Sequence, residues 1–193
     1  MQINLHNFLA HSTENGPELR AVVWVQGCTL NCPGCFNPET HDIHRQQLIS
    51  VEELAHDILA ITDIEGVTIS GGEPFLQAAA LAELGAILQE AKLGIILFSG
   101  FPYDTLIQSR RTDWERLLTV TDLLIAGPFI KKLACDLALR GSSNQTLHYL
   151  SDRYAAYHTT FMQDASRVEI QIDATGHVMM TGFPAETFLE SFM

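Results

Sequence analysis

Basic residues are scarce in this chain: 11 Lys and Arg stand against 23 Asp and Glu in 193 residues, a formal charge of −12. So acidic a chain is a poor non-specific ligand for nucleic acid or for an anionic membrane. Cysteine is scarcer still, with four in all, and three of them fall within residues 28–35. That clustering excludes a distributed disulfide framework and points to a metal. Apolar residues make up 47% of the chain, yet no run approaches the ~18 residues of a membrane span. The first residues, MQINLHNFLAHSTEN, show no basic flank and no apolar stretch of signal-peptide length. The expectation is a reducing, cytoplasmic setting, where thiolate clusters last. Solenoid-type repeats and low-complexity linkers are also missing. What remains is one domain, or one domain with an appendage, large enough to bury roughly 70% of its unfolded surface.

The pattern that is present alternates short β-rich runs with longer helical ones. Ala21 to Gln26 (AVVWVQ) reads as a buried strand running into Gly27 and the cysteines. Ser50, with Glu53 three residues on, forms a capping-box start for an amphipathic helix to about Ala60. Val67 to Ser70 is a strand ending at Gly71-Gly72, and Leu76 to Lys92 has helical composition. Gly94 to Ser99 is a strand closed by Gly100; Tyr103 to Val120 is a third helical stretch. Leu123 to Ala126 is a further strand, ended by Gly127-Pro128. Repeated strand–glycine–helix units predict parallel β/α architecture, whose ligands bind just past the strand ends. The last stretch differs. Arg167 to Asp173, then Ala-Thr-Gly, then His177 to Gly182 reads as a β-hairpin extension.

The cysteine segment is Gly27-Cys28-Thr29-Leu30-Asn31-Cys32-Pro33-Gly34-Cys35-Phe36-Asn37-Pro38, a CxxxCxxC spacing. Cys28, Cys32 and Cys35 on one tight loop can converge on a single metal centre. Between Ala21 and Thr40 the only formally charged side chain is Glu39, so backbone N–H groups must offset the thiolate charge. Two centres fit. Structural zinc needs a fourth ligand, which His41 or His44 can supply. An iron–sulfur cubane with three protein thiolates keeps one iron open for a substrate or cofactor. The remaining cysteine, Cys135, lies a hundred residues away and reads as a small core residue.

CxxxCxxC after one strand and Ser70-Gly71-Gly72-Glu73-Pro74 after the next resemble the radical S-adenosylmethionine (radical SAM) superfamily. GCTLNCPGCFNP, DLLIAGPF and RGSSNQ resemble more closely the activating proteins of anaerobic ribonucleotide reductase. The resemblance runs from about Pro17 to Gln145. It implies a partial (β/α) barrel of about five or six parallel strands over residues 1–145, with 146–193 as a C-terminal extension that includes the hairpin. It also implies a 4Fe-4S cluster on Cys28, Cys32 and Cys35, whose open iron is chelated by the methionine moiety of S-adenosylmethionine. In that superfamily one electron breaks the sulfonium bond to C5′, and a 5′-deoxyadenosyl radical abstracts hydrogen from the substrate. The resemblance assigns cofactor contacts to Ser70, Gly71, Gly72, Glu73 and Pro74, and to Ser99, Phe36 and Gly127. Glu73 and the backbone carbonyls would receive the methionine ammonium; the bland alternative is a turn with an exposed glutamate. Phe36 either stacks on adenine or caps the core, and Phe129 packs near adenine.

Several positions depart from the family or stay open. Relatives often have an acidic residue where Ala126 stands, and many place an aromatic residue where Gly34 stands. Arg20, in Gly16-Pro17-Glu18-Leu19-Arg20, either balances the cluster's charge or makes a surface ion pair. Arg140-Gly141-Ser142-Ser143-Asn144-Gln145 either orders the loop around the cofactor, faces a partner, or is a self-satisfied turn. His148, His158 and His177 read as structural or surface residues, and Met179-Met180 as core.

Three functions compete at this level. The first is an activase that abstracts hydrogen from a glycine in a large glycyl-radical enzyme, fed by a flavodoxin- or ferredoxin-type reductant. The second is a single-cluster radical SAM enzyme modifying a peptide or small molecule. The third is a non-catalytic zinc or iron–sulfur module.

Overall fold

The computed structural model describes residues 1–44, 47–163, 167–172, 175–176 and 178–183. Strand β1 (Gln2–Ser12) is followed by β2 (Arg20–Val25), then β3 (Leu48–Ser50), helix α1 (Val51–Leu59) and β4 (Gly66–Gly71). Helix α2 (Ala78–Glu90), β5 (Gly94–Ser99), α3 (Tyr103–Gln108), α4 (Thr112–Thr119) and β6 (Leu123–Ala126) complete the alternating part. Strand β7 (Thr146–Tyr149), the short α5 (His158–Phe161) and the pair β8 (Val168–Ile172) and β9 (Val178–Gly182) follow. Among the described residues no helix is long and apolar enough to cross a membrane.

Seven strands form one sheet in the order β3-β1-β2-β4-β5-β6-β7, and β8-β9 form a separate antiparallel pair. Only β2, β4, β5 and β6 run parallel. This corrects the expected five or six parallel strands. β7 returns antiparallel to β6, because residues 127–145 hold one short 3₁₀ turn and no crossover helix, which a parallel return needs. On the other side β1 pairs antiparallel with β2 and β3. The predicted hairpin is present, with Asp173, Ala174 and His177 outside the described residues. The helical stretch Tyr103 to Val120 is two helices, broken at Arg110, whose φ is +54°.

The parallel strands are buried on both faces, which is why they read as continuous apolar runs. Ala21, Val23 and Val25 of β2, with Val67 and Ile69 of β4, point to the helix side. There they pack with Leu54 and Ile58 of α1 and Leu81, Leu84 and Leu88 of α2. Ser50 caps α1 as expected, its Oγ accepting from Glu53 N at 3.0 Å. The alternate residues face the other way. Ile96, Leu123 and Ile125 pack with Leu139, Tyr154 and Phe161, while Leu9, Val22 and Trp24 pack with Met179. Residues beyond β7 therefore cover the second face of the sheet.

Arg20 anchors that cover. Its guanidinium is fully buried, at the start of β2 and so at the opposite end of the strand from the cysteines. It donates to Thr68 Oγ1 (2.9 Å), Val67 O (3.0 Å), Gly94 O (2.9 Å), Pro17 O (3.2 Å) and Tyr154 Oη (2.7 Å). Arg20 is not beside the cluster loop, and its ion pair with Glu18 (3.9 Å) is made by a buried guanidinium and not at the surface. Burial lowers its pKa, with Tyr154 and Glu18 opposing the shift. Gly66 and Gly94 make the room: a Cβ on Gly66 would lie 2.6 Å from Arg20 Nη2, and one on Gly94 2.1 Å from Tyr154 Oη.

Tyr154→Phe removes one acceptor from this buried cation. Denaturant titration is expected to show a loss of about 1.5–3 kcal/mol, the cost typical of a charge-assisted bond left unmade. A loss within 0.5 kcal/mol, roughly that of a neutral surface change, would contradict this reading of the contact.

Candidate functional site

The ends of β2 and β4 are bolted together through backbone atoms. Gly72 N donates to Val25 O (2.7 Å) and Glu73 N to Gly27 O (2.9 Å). A Cβ on Gly72 would lie 2.2 Å from Gly27 O, and one on Gly71 2.4 Å from Val25 N. Gly71 also has φ +104°, open to glycine and strained for other residues. The glycines of the GGEP segment thus serve strand-to-strand approach directly under the cysteine loop.

Glu73, offered in the bland alternative as an exposed turn residue, is fully buried. Its Oε1 accepts from Phe75 N (3.0 Å) and Ser99 Oγ (2.9 Å), and its Oε2 from Gly100 N (2.8 Å). This carboxylate ties the end of β4 to the end of β5. Burial pushes its pKa up to about 7, against the lowering effect of those three bonds. Ser99 is nearly buried, and its Oγ also accepts from Phe101 N (3.1 Å).

Cys28, Cys32 and Cys35 are partly exposed and hydrogen-bonded locally. Cys35 N donates to Cys32 O (3.1 Å), and Asn37 N reaches Cys35 Sγ (3.4 Å). Burial pushes the Cys28 thiol up, opposed by the amides of Leu30 and Asn31, with Glu73 and Cys32 adding to the rise. The Cys35 thiol is also raised by burial, opposed by the amide of Asn37. Backbone amides are therefore the thiolates' local support, and burial leaves them in need of a cationic core. Among the described residues no three His, Cys, Asp or Glu side chains are close enough to hold one metal ion. The donor set, the amide support and the cavity in front of the thiols fit an iron–sulfur cluster.

That cavity, ≈ 1180 Å³, is lined by all three cysteines and by Ser70, Gly71, Gly72, Glu73, Ser99, Gly127 and Phe36. All ten were proposed from sequence; Ser70 lies near the end of β4, paired with Trp24 of β2. Pro74 is buried at the start of a 3₁₀ turn and is not among the lining residues. Phe36 is 39% exposed and pairs with Phe129 at 4.9 Å, so it does not cap the core. Both rings press on Gly141, where a Cβ would lie 2.7 Å from Phe36 Cε2. Cys135 also departs from expectation: it is half-buried and lines this cavity.

The RGSSNQ segment is a clamp. Gln145 Oε1 accepts from Gly141 N (2.8 Å) while its Nε2 donates to Gly127 O (3.1 Å). Asn144 Nδ2 donates to Pro128 O (2.8 Å), and Ser142 Oγ accepts from Ile130 N (3.1 Å). Together they hold the turn after β6 at the cavity's edge. Sequence reasoning missed the glutamines under the cysteine loop. Gln26 Nε2 donates to Glu39 O (3.1 Å) and Asp42 O (2.9 Å), and Gln77 Nε2 to Gln26 O (3.0 Å). Their one signal was a polar residue, Gln26, closing an otherwise apolar strand. Met179 packs on the core as expected, whereas Met180 is 43% exposed.

The family described as 4Fe-4S single cluster domain matches residues 14–148. The chain belongs to this family. Its membership agrees with the radical SAM reading of the cysteine and GGEP segments, both of which lie inside the matched residues. The pyruvate formate-lyase-activating enzyme of Staphylococcus aureus strain USA300 is 33% identical over 156 residues, covering 77% of this chain and 61% of that enzyme. The enzymes of the same name from strains COL and MW2 match to the same extent. The chain thus spans 61% of the length of these relatives. Among solved structures, QueE from Escherichia coli matches with TM-score 0.39 and 18% identity, over 51% of this chain and 52% of that one.

Two measurements check the site. Gly72→Ala forces a methyl onto the Gly27 carbonyl; the variant is expected to lose several kcal/mol of stability and most of the iron retained after anaerobic reconstitution. For Glu73 the sign is set by burial. A raised pKa means stability is fully present below the ordinary carboxylate range and is lost as pH rises through about 7. Apo protein is expected to lose on the order of 3 kcal/mol between pH 4.5 and 8 relative to Glu73→Gln, read by urea titration at each pH.

Proposed function

We propose that this chain is a radical SAM enzyme of the glycyl-radical-activating type. The observation that carries the reading is one cavity that joins three cysteines, with no fourth thiolate on their loop, to Glu73 and Ser99. On this reading Cys28, Cys32 and Cys35, which line the cavity, would hold the cluster. S-adenosylmethionine binds between that loop and the ends of β4 and β5. A bound, reduced cluster would supply the one electron needed to cleave the cofactor's sulfonium–C5′ bond, giving methionine and, after hydrogen abstraction, 5′-deoxyadenosine and a carbon-centred substrate radical.

The chain's own residues prepare for this. Leu30, Asn31 and Asn37 amides temper the thiolates. Glu73 is held rigid by Phe75, Ser99 and Gly100; an ammonium docked beside it favours the carboxylate form. Ser70, Gly71 and Gly72 set the floor, with Pro74 buried behind it, and Gly127 and the Phe36–Phe129 pair form the wall where adenine packs. The sheet serves as the wall of a partial barrel, and the cavity's apolar lining, Trp24, Phe98 and Phe129 among it, limits water around the reactive carbon. The substrate on this reading is a glycine Cα of a large glycyl-radical enzyme, as the relatives' names support, with a flavodoxin or ferredoxin as electron donor in the cytoplasm.

Anaerobically reconstituted protein should be brown and, once reduced with dithionite, should convert added S-adenosylmethionine to 5′-deoxyadenosine and methionine. Cys32→Ala should lose both colour and turnover, at least 100-fold in the latter, while Cys135→Ala keeps the cluster. A colourless protein holding one zinc and yielding no 5′-deoxyadenosine would overturn the reading.

A further inference from the structure

We infer that the β8–β9 hairpin is a track that guides an uncharged, apolar segment of a polypeptide substrate into the cavity. The inference rests on the hydrogen-abstraction reading for what happens once the segment is inside. The family match stops at residue 148, so the hairpin lies outside the matched region.

Its polarity is inverted. Strand alternation puts Glu169, Gln171, Met179 and Thr181 on one face and Ile170, Ile172, Val178 and Met180 on the other. The first face is fastened to the body by polar bonds. Glu169 Oε2 accepts from Ser12 Oγ (2.7 Å) and Thr13 N (3.2 Å), Gln171 Nε2 donates to His11 O (2.9 Å), and Asn15 Nδ2 donates to Thr181 Oγ1 (2.9 Å). The apolar face is left in solvent: Ile170, Ile172, Val178 and Met180 are 48%, 69%, 57% and 43% exposed. A hairpin serving only to close the fold would turn this face inward, because burying the four side chains is worth far more than burying the polar ones. Cross-strand pairing of Ile170 with Met180 and of Ile172 with Val178 makes one continuous apolar strip.

The strip leads into the site. Met180 belongs both to the exposed face and to the cavity lining. The cavity wall next to it is Trp24, Phe98, Met179 and Phe183, without a charged side chain. Phe183 stacks on Phe98 at 5.7 Å and Met179 packs on Trp24, which keeps this wall in place. The geometry suits one occupant. A small molecule held in the cavity would leave Ile172 and Val178 without a use. An extended polypeptide, advancing about 3.3 Å per residue with alternate side chains on one side, covers the strip and reaches the interior within a few residues. Affinity then comes from apolar burial, since the strip carries no charge while the chain as a whole carries −12.

The test titrates a fluorescein-labelled peptide of about a dozen residues, a central glycine flanked by valine and leucine, with reconstituted protein and follows anisotropy. Saturable binding is expected for the wild type. The Ile170→Asp/Ile172→Asp variant is expected to bind at least fivefold more weakly with an unchanged melting temperature, and a serine-flanked peptide at least fivefold more weakly than the apolar one. No saturable binding by the wild type, a double variant weakened less than fivefold, or equal binding of the serine-flanked peptide each overturn the track. Because 5′-deoxyadenosine formation needs no peptide, its presence alongside a failed titration removes the track alone. Its absence alongside peptide binding removes the enzymatic reading alone.

Discussion

The contact on which the rest of the site hangs is between two backbones. Where β2 and β4 end, the amides of Gly72 and Glu73 reach the carbonyls of Val25 and Gly27, and Cys28 is the next residue along. Between residues 21 and 40 the only formally charged side chain is Glu39, so the cysteine loop has no cationic one of its own. Its position is therefore inherited from the sheet, through peptide groups that cannot titrate or rotate away. The same contact swings Glu73 under the cavity, where Ser99 and Gly100 receive it. One pair of glycines thus sets where the thiols stand, where the carboxylate stands and the distance between the two strand ends. Preorganisation of this kind is what a reactive centre needs from its scaffold.

The second layer of the fold comes from an unexpected source. Helices cover one face of the sheet, and Tyr154, Phe161, Met179 and Phe183 from beyond β7 cover much of the other. The cavity is accordingly composite. Its thiol-bearing end belongs to the matched family region, and its far end is walled by the hairpin. On the proposed reading chemistry and selectivity fall to different stretches of the chain, so the hairpin wall can vary without disturbing the thiols.

Most of the parallel core was legible because strands buried on both faces spell themselves out as apolar runs: Gly94–Ser99 and Leu123–Ala126 stand where sequence put them. The cysteines, Glu73 and Ser99 were legible because each follows a strand end, where parallel architecture collects ligand-binding groups. β1 was not, since the alternation that runs from Gln2 to His6 breaks at Asn7, where the register with β2 shifts. β7 was hidden in a motif read for chemistry, and its reversed direction follows from a missing crossover helix that no local pattern announces. Arg20 misled for a related reason. A lone guanidinium near a family motif suggested charge balance, but its five bonds go to partners 3 to 134 residues away. Glu73 likewise gave no sign that it would be buried, because burial depends on Ser99 and Gly100 arriving from the neighbouring strand.

Arg20 also bears on how the chain folds. Its guanidinium sits among three adjacent strands, but the phenol that completes its shell is 134 positions further on. Until that residue arrives, a half-assembled sheet holds a cation that burial disfavours and that only water can satisfy. The sheet and its second layer are thereby obliged to close together, a non-local condition of the kind that slows folding and suppresses partly folded, dry intermediates. The price of the buried arginine is speed, and its effect is that the cavity, which needs both layers, forms only when the whole fold does.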